Sequence, residues 1–195
     1  MSALEIADII GVICFALSGF LIAVHYKLDI LGVFIASFLT ALGGGMIRDV
    51  LADKTPYVFS SNVPVILVVA TVVISLLFKL HKIDDLEGKT IFIISDAIGL
   101  VSFSITGSIV AIQNEFNFLG VLILAFLTAV GGGTIRDILI NRVPSILVSE
   151  FYATVALIIA SAMFVLEIFE LRNIFSIMIV FICGVILRLL AYYKK

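Results

Sequence analysis

Of 195 residues, 63% are hydrophobic and 13% charged, at a mean hydropathy of +1.31, more apolar surface than a water-soluble domain of this size can bury. Twelve Lys+Arg against fourteen Asp+Glu leave a net charge of -2, which excludes a basic field able to hold a nucleic-acid backbone by counterion release. Cys14 and Cys183 both lie in apolar runs and read as small hydrophobes, not as a disulfide framework or a thiol-based metal site.

A helix needs roughly 20 apolar residues to cross a hydrocarbon core of about 30 Å. In chain order the sequence offers such spans at 6–26, 29–52, 62–80, 91–113, 118–141, 146–168 and 173–192. The first follows an acidic start, Glu5 and Asp8, where a cleavable signal would carry a basic segment, and it reads as a retained membrane helix. The joints are short, the longest polar one covering 79–89, and the chain reads as one transmembrane domain over 1–195. The seventh span ends in Tyr192, Tyr193, Lys194 and Lys195, an aromatic and basic anchor at a membrane surface.

The sequence also matches itself. At an offset of 88, residues 7–56 align without gaps on 95–144, with 22 of 50 positions identical. FLTALGGGMIRD at 38–49 pairs with FLTAVGGGTIRD at 126–137, Asp8 with Asp96, Gly19 with Gly107 and Pro56 with Pro144. The chain therefore divides into a first repeat at about 6–80, a second at about 91–168 and an extra helix at about 173–192. Each repeat holds three spans, so the second must enter the membrane from the opposite side, giving inverted repeats. One face then carries Arg48, Lys54 and Arg172 and the other Lys27, Lys79, Lys82, Lys89, Arg136, Arg142, Arg188, Lys194 and Lys195. This imbalance predicts an outside N-terminus and a cytoplasmic C-terminus.

The doubled GGG carries the chemical reading. Each glycine weakens a helix by about 1 kcal/mol relative to alanine, and the triplets Gly43, Gly44, Gly45 and Gly131, Gly132, Gly133 read either as close helix packing or as breaks in the second and fifth spans. The second alternative is the expectation: an all-α membrane protein of seven transmembrane helices, two of them broken at GGG, whose freed carbonyls suit a cation and whose freed amides suit an anion. Inverted symmetry brings the two triplets together near the middle of the bilayer.

Arg48-Asp49 and Arg136-Asp137 follow the triplets at a depth where an unpaired charge costs about 2.5–3.5 kcal/mol. They read either as snorkelling and capping groups or as charges that set the potential of a path. Asp8 and Asp96 open spans one and four, and Ser95, Ser102 and Thr106 share a face of span four with Gly99, while Thr40 and Thr128 precede the triplets. These residues form a candidate polar lining; interhelical hydrogen bonding is the plainer reading. His25 and His81 have no partner at metal spacing, so neither catalysis nor a cofactor is expected.

Two three-helix repeats, a seventh helix and GGG-x-x-RD in both repeats resemble the trimeric intracellular cation channel (TRIC) family in its prokaryotic branch, over essentially the whole chain. The resemblance implies a homotrimer in the prokaryotic cell (inner) membrane. It implies one path per protomer for potassium and sodium, lined by the six glycines with Arg48, Asp49, Arg136 and Asp137 as the matching charges. Prokaryotic sequences of this pattern are also grouped under a glycine-transporter label, so a carrier of glycine or a similar small zwitterion is the alternative.

Overall fold

The computed structural model describes residues 2–80, 85–148 and 151–194, without the side chains of 85–88. His81, Lys82 and Lys195, with 149–150 of the sixth expected span, lie outside the described residues. Among the described residues the chain forms nine helices: α1 (Ala3–His25), α2 (Ile30–Leu51), α3 (Tyr57–Ser60), α4 (Val63–Leu77), α5 (Asp85–Gln113), α6 (Phe118–Leu139), α7 (Ser145–Val148), α8 (Tyr152–Ile168) and α9 (Ile174–Tyr193).

Local chemistry sets the ends. Ser2 and Glu5 form a capping box at the start of α1. Asp29 and its repeat counterpart Asn117 each accept a hydrogen bond from the N–H of the glycine three residues on, at 2.7 and 2.8 Å, satisfying a donor that a helix start leaves free. At the other ends, Lys27, Asp53, Glu115 and Asn141 take left-handed backbone angles, with φ between 54 and 56°. They close Schellman motifs such as Glu115 N to Ile112 O and Phe116 N to Ala111 O, both 3.0 Å. Glycine is the usual residue there because a Cβ is strained. Glu115→Gly is therefore expected to stabilise the fold by about 1 kcal/mol, read as a rise in the midpoint of thermal unfolding in detergent.

Among the described residues five helices are long and apolar enough to cross a membrane, α1, α2, α5 from Lys89, α6 and α9, and two apolar helices are shorter, α4 and α8. The third and sixth spans are thus shorter than expected. A helix of 15 residues reaches only about 22 Å: α4 starts one residue after the expected 62 but ends at Leu77, three before 80, whereas α8 starts only at Tyr152, six residues after the expected 146. After Pro56 and Pro144 the chain makes the one-turn helices α3 and α7. It then re-aims through extended Ser61 in one repeat and left-handed Phe151 in the other before the main helix starts.

The expected interruption at the triplets is not found: α2 and α6 run as continuous α-helix through 43–45 and 131–133. The glycines serve close approach instead. A Cβ on Gly44 would lie 2.2 Å from the carbonyl oxygen of Thr128, and one on Gly132 would lie 2.1 Å from that of Thr40. The two helices therefore cross backbone to backbone, a contact only glycine permits.

α1 packs on α5 and α2 on α6, and α1·α2 and α5·α6 close the four into an inner layer. Phe15 and Phe103, counterparts at the offset of 88, meet near the middle with ring centroids 5.2 Å apart, and their surroundings form the main apolar cluster with Leu100, Val101 and Ile105. α4 and α8 lie against this layer, and α9 contacts α5 and α8, burying only Ile177, Gly184 and Arg188.

Candidate functional site

Each repeat builds one cluster of an arginine between two aspartates. In the first, α2 carries Arg48, whose Nε donates to Asp49 Oδ1 at 2.9 Å and whose Nη1 donates to Asp8 Oδ1 of α1 at 2.6 Å. In the second, α6 carries Arg136, whose Nε donates to Asp137 Oδ1 at 3.0 Å and whose Nη1 donates to Asp96 Oδ1 of α5 at 2.7 Å. The internal duplication thus extends to individual hydrogen bonds.

The second oxygen of each motif aspartate has a different duty. Asp49 Oδ2 accepts the N–H of Tyr57 at 2.9 Å, and Asp137 Oδ2 accepts that of Ser145 at 2.8 Å. Both partners open the one-turn helices, so each aspartate pins the chain reversal that follows its own helix. Ser145 Oγ adds a further bond to Asp137 at 2.9 Å.

Charge-assisted bonds tie each guanidinium to its two carboxylates, although Arg136 Nη2 is buried without a partner, and the sum of the charges matters. With all three groups ionised, each cluster holds two negative charges and one positive, a net charge of -1. Both clusters sit in apolar helices, where a net charge acts through little intervening water.

The two clusters differ in access. The Asp8 side chain is 20% exposed, and the first cluster borders a cavity of about 30 Å³ lined by Asp8, Gly45, Arg48, Asp49, Tyr57 and Pro64 among others, room for roughly two waters. The second cluster is closed. Arg136 and Asp137 are fully buried, and Ser18 of α1 bridges Arg136 and Asp96 at 2.5 and 3.3 Å. The Arg136 guanidinium also lies 4.9 Å from the centre of the Phe92 ring. The counterpart of Ser18, Thr106, instead donates to Phe103 O of its own helix.

The other sequence candidates fall as follows. The structure sets Gly43 against Gly132 and Gly131 against Gly44 at the α2–α6 crossing, while Gly45 faces the cavity and Gly133 faces Tyr152. Thr40 and Thr128 are buried and donate to Ala36 O and Leu124 O within their own helices. Ser95 donates to Phe92 O. Ser102 is buried beside Gly11, with its hydroxyl unpartnered. The hydroxyl face of α5 therefore packs on α1. Sequence reasoning missed Ser18, Tyr57, Ser145, Tyr152 and Arg188. The position of Ser18 directly before the matched Gly19, and the place of Tyr57 and Ser145 at the shared offset, were available signals.

A family model described as "Glycine transporter" matches residues 5–82 and 93–167. The UPF0126 membrane protein YvgT of Bacillus subtilis (strain 168) is 34% identical over 190 residues, 97% of this chain and 92% of that protein. Two solved structures superpose closely. One, of a prokaryotic TRIC channel in 0.5 M KCl, has a TM-score of 0.90 at 32% identity, covering 98% of each chain. The other, of the trimeric intracellular cation channel orthologue from Rhodobacter sphaeroides, has a TM-score of 0.91 at 26% identity, covering all of both chains.

Proposed function

The chain belongs to the prokaryotic TRIC family, and from that premise we propose that this integral membrane protein is a channel for monovalent cations, potassium and sodium. It works as a homotrimer in the cell membrane, with N-terminus outside and C-terminus cytoplasmic, and with one path inside each protomer between α2 and α6.

One observation carries the choice of a cation: each arginine of the motif is held by two aspartates, leaving a net negative charge on both clusters. A zwitterion carrier would need a cationic group or free helix amides for the carboxylate of its substrate. Here both guanidinium groups are engaged by carboxylates, and the amides of the triplets lie inside unbroken helices. The cavity beside Asp8 is the entrance, where the field concentrates cations. Beyond it the path is shut by the glycine crossing in the conformation described, so conduction requires α2 and α6 to shift against each other.

The test is purified protein in a planar bilayer under a potassium chloride gradient, with glycine uptake into vesicles measured on the same preparation. Discrete currents reversing near the potassium potential, without glycine uptake, are the expected result; saturable glycine uptake with counterflow and no current steps would overturn it. Asp8→Asn should lower single-channel conductance about fivefold at low ionic strength, and much less at 1 M salt, where screening removes the advantage.

A further inference from the structure

Inverted repeats predict that whatever space the first cluster borders, the second borders too. The cavity beside Asp8 and Arg48 is lined on one side by Pro64, near the start of α4. At the offset of 88, Pro64 corresponds to Tyr152, the first residue of α8. Tyr152 is buried, and its hydroxyl oxygen lies 3.2 Å from where a Cβ on Gly133 would be. At the counterpart Gly45, such a Cβ would meet nothing nearer than Arg48 Nη2, at 3.9 Å. A phenol ring thus occupies, in one repeat, the place that is hollow in the other.

A second feature breaks the symmetry at the same point. α9 lies outside the duplication, and its Arg188 is buried with the guanidinium 4.5 Å from the centre of the Tyr152 ring, a favourable cation–π distance. Arg188 sits near the end of α9 and Tyr152 at the start of α8, so both belong to the end of the bundle that carries the C-terminus. Arg188 also brings a positive charge to the side of the path where the second cluster lies. The first half of the path is therefore hollow beside a net negative cluster, and the second is filled, with a further positive charge beside its cluster.

We propose that Tyr152 is the plug of the second half of the path, held in place by Arg188 of α9, and that opening requires, besides the shift of α2 against α6 at the glycine crossing, that the Tyr152 ring leave the space its counterpart Pro64 leaves empty. This rests on the channel reading above. α9 buries Ile177 and Gly184 besides Arg188, and Arg188 is the α9 side chain whose guanidinium lies over the Tyr152 ring, so a movement of this helix reaches the plug.

The proposal is tested first without any current. In a background of Cys14→Ala and Cys183→Ala, single thiols are placed by Gly45→Cys and Gly133→Cys, and their reaction with silver ion, close to potassium in size, is timed by loss of free thiol. The thiol at 45 should react promptly and that at 133 roughly a hundredfold more slowly, with Tyr152→Ala bringing the second to within about tenfold of the first. A thiol at 133 that reacts as fast as that at 45 with Tyr152 present, or one that stays protected after Tyr152→Ala, overturns the plug. The second measurement is the open fraction in planar bilayers. Tyr152→Ala and Arg188→Gln should raise it at least tenfold, and Tyr152→Phe should leave it near the parent value because the ring fills the space. Unchanged open fractions in both of the first two variants overturn the proposal. A parent protein that passes no current while the silver pattern holds removes the channel reading and leaves the plug standing.

Discussion

Gly132→Ala and Gly44→Ala are expected to lower stability by about 3 kcal/mol each, at the upper end of what overpacking costs, while Gly45→Ala, inside the same triplet, should raise it by roughly 0.5–1 kcal/mol. The contrast follows from what each new methyl group would meet. On Gly132 and Gly44 it would fall 2.1 and 2.2 Å from the backbone carbonyl oxygens of Thr40 and Thr128, atoms fixed in the middle of the facing helices. No rotamer change relieves such a contact, so α2 and α6 must move apart along their whole crossing. On Gly45 the methyl group enters the cavity, nearest to Arg48 Nη2 at 3.9 Å, and the gain is the ordinary preference of a helix for alanine. Thermal unfolding of the three purified variants in one detergent decides the matter. Equal losses at 44 and 45 would mean that the helices do not cross at Gly44. The same displacement should alter conduction in the 44 and 132 variants, because the crossing is where the path is shut, and leave Gly45→Ala close to the parent.

The triplets also mark where sequence reasoning reaches its limit. The self-match at an offset of 88 made the two triplets and the two Arg-Asp pairs legible as partners. Apolar length located the main helices to within a few residues, except at the start of the sixth span, where α7 takes Ser145–Val148 and α8 begins only at Tyr152. Whether a GGG is a break or a contact surface is decided by the facing atoms, here the carbonyls of Thr40 and Thr128, which are 88 residues apart and invisible to any local pattern. The aspartates of the motif posed the same difficulty. One oxygen of each faces its neighbouring arginine, and the other receives the N–H eight residues on, a bond that exists only because the chain reverses there. Arg188 was readable in part. It was counted with the cations of the C-terminal face, but Ile177, Gly184 and Arg188 fall at i, i+7 and i+11, one face of the helix.

Arg136→Met is expected to be among the most damaging single substitutions in the chain, with Arg48→Met distinctly milder although both remove the same residue from the same motif. Loss of Arg136 leaves Asp96 and Asp137 facing each other's field in a site with no exposure on Asp137, and breaking a buried ion pair in this way costs about 3–5 kcal/mol. Ser18, which now donates to Asp96, cannot replace a full charge. Loss of Arg48 leaves Asp8 beside the cavity with its side chain 20% exposed, where water enters and screens it, so the penalty should be about half as large. The measurement is the yield of folded protein in membranes and the unfolding midpoint in detergent. Arg136→Met combined with Asp96→Asn and Asp137→Asn should recover most of the loss, because the cost lies in the stranded charges and the amide oxygen introduced by Asp137→Asn would still accept the N–H of Ser145. Equal losses for Arg48→Met and Arg136→Met would place both clusters in the same environment and remove the difference in access on which the entrance and the plug both depend.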